Sequence, residues 1–203
     1  MSARSLSMTD VLRRLPVPLF TVADVAKFVS DENVFLFRAA RRRYVQKIAN
    51  RIYWNVLFSP QPPSVERVAC FARQPSYISG EWALNYHGII LQVPTVCTAV
   101  TLSSAVGRRN RIIYHEFTIE YSRIQEGLYM PDQILNLDGI LMATAEKALL
   151  DTIYLRHRLP LGGELELDDL DPDRLRSLSS FFPPSVVRRI EKLDLQSGKL
   201  LTP

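Results

Sequence analysis

Cysteine, glycine and histidine are scarce in this chain, and each shortage removes a class of chemistry. Two cysteines in 203 residues, Cys70 and Cys97, make neither a disulfide framework nor a metal-ligand spacing. A reducing cytoplasm is the simplest home for such a chain. Eight glycines include no GxGxxG and no GxxxxGK[ST], so the glycine-rich phosphate cradles are missing. The three histidines, His87, His115 and His157, are scattered, and no HExxH or CxxC accompanies them, so no zinc site or other cofactor is expected. No GxSxG occurs, and Ser79 beside Gly80 reads as a helix N-cap and not as a nucleophile. Apolar runs stay far below the ~18 residues that span a bilayer. The opening MSARSLSMTDVLRRL shows no apolar core followed by a small-residue cleavage site, so no signal peptide is expected. Neither repeats nor low-complexity tracts appear.

Acid is also scarce, but only at one end. Residues 1–60 hold ten Lys/Arg and four Asp/Glu, residues 61–160 hold nine of each, and residues 161–203 hold six bases and eight acids. The whole positive excess of the chain therefore sits in its first 60 residues. Charge asymmetry of this kind points to a nucleic-acid-binding end and a neutral remainder. An apolar content of 47% fits globular units with real cores.

The segment SPQPPS (59–64) marks a boundary, because three prolines in four residues stop helices and strands alike. The reading is an α+β protein in three parts. Residues 1–59 form a winged helix-turn-helix. Residues 64–160 form a mixed α+β domain with a small antiparallel sheet. Residues 161–203 form a helical C-terminal extension, its helices started by Asp171-Pro172 and Pro183-Pro184.

Within the first part, TDVLRRLP (9–16) predicts a short helix. Thr21 with Asp24 predicts the start of the next, over 21–30, with Val22, Val25, Ala26 and Val29 as its apolar stripe. The segment VFLFRAARRRYVQKIA (34–49) predicts a longer helix. It would set Phe37, Ala40, Tyr44 and Ile48 on an apolar face and Arg38, Arg42, Arg43 and Gln46 on the other. A helix apolar on one side and Arg-dense on the other suits a DNA major groove. On that wheel Arg38, Arg42 and Gln46 form the ridge aimed at base edges. Arg43 and Lys47 flank it and would meet phosphates, and Arg41 lies beside the apolar face with its stem packed and its head reaching out. The run NRIYWNVLF (50–58) predicts a strand. A wing hairpin ordinarily turns on glycine near Asn50–Arg51, and none stands there.

In the second part, helices are predicted over 65–74, from Ser79 to Gly88, and over 143–157. The runs 93–103 and 111–121 predict a hairpin around residues 107–110, and 123–130 a further strand. Lys147 and Asp151, at i and i+4, read as a surface ion pair. Asp132, Asp138 and Glu146 are the carboxylates that a nuclease or nucleotidyl-transfer reading would need to bring together.

At YISGEWALNYHGI (77–89) and ATAEKALLDTIYL (143–155) the chain resembles the AbiEi-type antitoxins of bacterial type IV toxin–antitoxin systems. FTVADVAKF (20–28) resembles the winged-helix opening of that family. The similarity spans about residues 9–157. It implies a protein that binds inverted repeats in its own promoter and represses its operon. It also implies that the second domain counteracts a nucleotidyltransferase-like toxin without necessarily forming a stable complex. The residues themselves offer no active site, so no enzyme activity is expected. One reading helix covers one half-site, so binding as a dimer or cooperatively is expected. The alternative is a stand-alone transcriptional regulator whose second domain senses a ligand or another protein.

Overall fold

The computed structural model describes residues 6–156, 165–167, 169–194 and 199–200. The chain divides into two compact units, Met1–Ser64 and Val65–Pro203.

Among its described residues the first unit has three short helices, and each has an acid at its N-cap or in its first turn. In α1, Met8–Arg14, Ser7 and Asp10 form a capping box. A short strand, β1, Leu19–Thr21, leads directly into α2, Val22–Ala26, where Thr21 and Asp24 form a second box. The helix α3, Glu32–Arg41, starts at Asp31, whose carboxylate accepts the Val34 N–H at 2.9 Å. These reciprocal bonds satisfy amide donors that a helix start leaves without partners. Two strands follow, β2, Gln46–Ala49, and β3, Ile52–Trp54. The three strands pair antiparallel in the order β1-β3-β2. Helices and sheet close on one core that includes Leu12, Leu15, Phe20, Val25, Phe35, Leu36, Ala39 and Val45. Asn55, buried just after β3, ties the sheet to the end of α1: its side chain donates to the Leu12 carbonyl at 2.9 Å and its N–H to Pro18 at 2.8 Å.

The structure corrects the predicted long helix in two ways. It stops at Arg41 where the pattern ran on to residue 49, and residues 46–49 are the first strand of a hairpin. Its buried face is Phe35, Leu36 and Ala39, while Phe37 and Ala40 are exposed. The stop is conformational. Arg43 adopts φ 60°, and its N–H and that of Tyr44 close back on the Ala40 and Ala39 carbonyls at 2.9 and 3.0 Å. A residue in the left-handed region just past the last turn ends a helix whatever its side chain. The hairpin turns without glycine. Ala49 pairs with Ile52, and Arg51 between them sits at φ 61°. A left-handed non-glycine residue costs roughly 1–2 kcal/mol. Arg51→Gly is therefore expected to raise the urea midpoint of this unit slightly, and Arg51→Val to lower it.

The second unit is built on a six-stranded mixed sheet. Its elements run α4, Val65–Ala72; β4, Ser76–Ile78; α5, Gly80–Tyr86; β5, Val96–Thr101; β6, Ile112–Tyr114; β7, Phe117–Arg123; β8, Ile134–Leu137; β9, Ile140–Ala143; and α6, Ala145–Arg156. Two more helices, α7, Pro172–Ser179, and α8, Pro184–Glu191, pack on α6 within this unit, and a short strand pair, β10, Leu193–Asp194, with β11, Lys199–Leu200, follows. The sheet order is β6-β7-β5-β4-β9-β8. Three residues of β4 and five consecutive residues of β5 are buried, so the centre of the sheet is covered on both faces.

The predicted hairpin between 93–103 and 111–121 is replaced by a different pairing. β5 runs parallel to β7, and β6 is the antiparallel partner of β7. The strand expected over 123–130 is instead a 3₁₀ turn at Glu126–Leu128. The sheet is mixed, not purely antiparallel, because β4 also pairs parallel with β9. Among the described residues no helix is long and apolar enough to cross a membrane.

The caps carry a pH signature. Burial pushes the Asp24 carboxyl up, but the Lys27 ammonium at 2.7 Å and the Thr21 N–H and hydroxyl outweigh it and hold the group below its ordinary value. A carboxylate held low stabilises the fold above its unfolded pKa and loses that contribution as pH falls through the folded one. Asp24→Ala is expected to lower the unfolding free energy by about 1 kcal/mol at neutral pH. The gap from the wild type should begin to narrow as pH falls below about 4 and be smaller at pH 3 than at pH 7. Urea titrations at pH 7 and pH 3 check both parts.

Candidate nucleic-acid interface

The six predicted interface residues, Arg38, Arg41, Arg42, Arg43, Gln46 and Lys47, are all exposed, and they follow one another around the end of α3. They do not lie on one helix. Arg38 and Arg41 belong to α3, Arg42 is its C-cap, Arg43 holds the left-handed turn, and Gln46 and Lys47 open the hairpin. The ridge Arg38–Arg42–Gln46 therefore does not exist as a helical stripe.

The buried face fixes a different stripe. With Phe35, Leu36 and Ala39 inward, 100° per residue places Val34, Phe37 and Arg41 at the centre of the outward face, with Arg38 beside them. This is an i, i+3, i+4, i+7 set on the solvent side. Arg41, read from the sequence as lying beside the apolar face, is among the most outward residues of α3, and its guanidinium sits over the Phe37 ring, 5.9 Å from the centroid. Arg42 turns back toward α1, with Nη1 3.9 Å from the Met8 sulfur. Phe37 and Arg51 are exposed too, although the sequence pattern puts the first on the apolar face and the second in a strand.

Charge separation makes this surface basic. All four acids of the unit lie at helix N-termini: Asp10 and Asp24 in capping boxes, Asp31 as N-cap and Glu32 in the first turn of α3. Asp10 is held below the ordinary carboxylate value by its hydrogen bonds with Ser7. Lys27 takes Asp24 as an ion-pair partner. Arg38, Arg41, Arg42, Arg43 and Lys47 make no ion pair among the described residues, so no carboxylate there neutralises them. A planar guanidinium fork can pair bidentately with a phosphate or with the O6/N7 edge of guanine.

The second unit contains a different arrangement. Lys147 and Asp151, read as a surface pair, are both 0% exposed and in direct contact within α6. Asp151 also accepts the Tyr77 hydroxyl at 2.9 Å and the Ser79 hydroxyl at 2.8 Å, and Lys147 donates to the Tyr77 oxygen at 2.8 Å. Ser79 does precede α5, but its side chain goes to Asp151 and caps nothing. Gly80 follows at φ 67°, and an added Cβ would lie 3.2 Å from Thr98, so glycine is required at this junction. Burial pushes the Asp151 carboxyl up and the Lys147 ammonium down, each opposed by the other's charge. With no exposed atom, the cluster is a bolt between β4, the start of α5 and α6, not a surface for substrate.

Asp132, Asp138 and Glu146 do not converge. Asp138 pairs with Arg67, while Glu146 accepts the Asp171 N–H before α7 and faces Arg174. Among the described residues, no three His, Cys, Asp or Glu side chains gather as a metal site. No family model, curated protein or solved structure matches this chain.

Proposed function

We propose that the first unit is a winged helix-turn-helix that binds double-stranded DNA, with α2–α3 as the helix-turn-helix and the β2–β3 hairpin as the wing. The observation that carries this reading is the outward face of α3 and its continuation: exposed arginines with no acidic partner among the described residues, on a helix docked to the core by its opposite side. Element order and sheet order support it, since a hairpin directly after the second helix pairs back with the strand that precedes the first. In this reading Arg38 and Arg41 meet base edges, and Arg43 and Lys47 meet phosphates. Arg51 and the hairpin tip lie against the neighbouring backbone or minor groove. One reading helix covers one half-site, so inverted repeats would be bound by two copies.

The resemblance to AbiEi-type antitoxins supports the wider role. The protein would be a non-enzymatic cytoplasmic antitoxin that represses its own operon, with the second unit counteracting a nucleotidyltransferase-like toxin. Purified full-length protein is expected to shift DNA from upstream of its own gene in low salt, with log Kd rising about 0.9 per phosphate contact for each decade of salt. Absence of any shift at low salt would sink the repressor role. Co-expression with the adjacent gene tests the antitoxin role. Rescue of growth by the wild type and equally by a variant unable to bind DNA would place protection in the second unit.

A specific feature favours a second reading, a regulator whose second unit senses a small molecule. An open cleft of about 540 Å³ there is lined by Leu102, Arg123, Ile124, Gln125, Glu126 and Tyr154. A neighbouring gene unlike a nucleotidyltransferase, with no growth effect on co-expression, would favour it.

A further inference from the structure

Phe37 is 63% exposed at the centre of the outward face of α3, although phenylalanine is among the side chains that most gain from leaving water. The core has no need of it, because Phe35, Leu36 and Ala39 already form the docking face. Val34, one turn earlier on the same stripe, is 42% exposed. Arg38 is its neighbour, and Arg41 reaches over its ring from one turn later. An apolar centre ringed by guanidinium groups complements a surface that is anionic and polar but carries an isolated apolar group. In the DNA major groove that group is the 5-methyl of thymine, which stands beside the base-edge acceptors an arginine recognises.

We propose that Phe37 is a specificity-determining residue that packs on a thymine methyl, and that Arg41 pairs with a guanine close by. The assignment rests on the DNA-binding reading of the first unit. Residues four apart on a helix are separated by about 6 Å along its axis. Base pairs are spaced by about 3.4 Å. The thymine and guanine therefore fall within about two base pairs of one another. The cation–ring contact between Arg41 and Phe37 holds the two readers in a fixed relation, so they recognise a composite step and not two independent bases.

The test uses the full chain and two duplexes of the same upstream DNA, one made with thymine and one with uracil throughout, which deletes the methyl and leaves every hydrogen-bonding edge intact. Wild-type protein is expected to bind the uracil duplex about fourfold more weakly for each methyl packed, the value of one buried methyl. Phe37→Ala is expected to bind both duplexes equally, at the level of wild type on uracil DNA. Its thermal unfolding should match the wild type, because the ring is exposed. Equal binding of both duplexes by the wild type overturns the inference and leaves DNA binding standing. Continued discrimination by Phe37→Ala also overturns it, by assigning the methyl to another residue or to duplex shape. Binding of neither duplex at low salt overturns the DNA-binding reading and the inference with it.

Discussion

Arg38→Ala combined with Arg41→Ala is expected to abolish specific DNA binding while leaving the unfolding curve of the protein unchanged. Both side chains are exposed and neither forms an ion pair among the described residues, so the fold does not use them. Alanine is at least as good a helix former as arginine, so α3 survives. A bidentate arginine–base pair is worth about 1–3 kcal/mol of discrimination. Losing two costs about 2–6 kcal/mol, roughly 30-fold to more than 10⁴-fold in Kd. Arg43→Ala with Lys47→Ala separates the two kinds of contact. That variant should weaken binding to all sequences alike and flatten the salt dependence by about 0.9 per lost phosphate contact. A double variant at Arg38 and Arg41 that keeps wild-type affinity for its own upstream DNA would refute the placement of α3 against bases.

The choice of Arg41 over Arg42 for this experiment comes from the structure, and the reason shows what the sequence could and could not carry. The segment VFLFRAARRRYVQKIA supports two apolar phases. One runs through Phe37, Ala40, Tyr44 and Ile48, and the other through Phe35, Leu36 and Ala39. No proline or glycine chooses between them or marks an end. The core selects the second, and Arg43 ends the helix through a backbone conformation that arginine rarely adopts. Side chain–backbone signals were more legible. Thr21 with Asp24, Asp171 before Pro172 and Gly88 after α5 act as their local chemistry requires. Strand pairing was not legible, because the parallel pairing of β5 with β7 depends on contacts that no local period encodes. The burial of Lys147 and Asp151 was not legible either. At 100° per residue, Ala145, Ala148, Leu149, Leu150 and Ile153 occupy one side of α6 and the pair the other, so its burial comes from the tertiary elements packed on that side and not from a local pattern.

That pair sets the largest stability effect expected in the molecule. Asp151→Ala leaves the Lys147 ammonium buried without its carboxylate, holding the Tyr77 hydroxyl and the faces of the Tyr77 and Phe182 rings, and should cost roughly 3–5 kcal/mol, enough to unfold much of the second unit at moderate urea. Lys147→Met strands Asp151 between two hydroxyl donors and should cost less, since both remaining bonds favour the carboxylate. The Lys147→Met, Asp151→Leu pair frees Tyr77 and Ser79 from their acceptor, at about 1–3 kcal/mol for each buried hydroxyl left without a partner. Adding Tyr77→Phe and Ser79→Ala removes those donors as well. The quadruple variant should therefore stand far closer to wild type than Asp151→Ala does, although it has lost more native interactions. This ordering distinguishes a buried pair whose danger lies in being broken from one that contributes net stability, because the latter would make the quadruple variant the least stable of all. Urea unfolding followed by tyrosine and tryptophan fluorescence ranks the variants, and DNA binding by Asp151→Ala reports whether the first unit, which shares none of these contacts, keeps its fold.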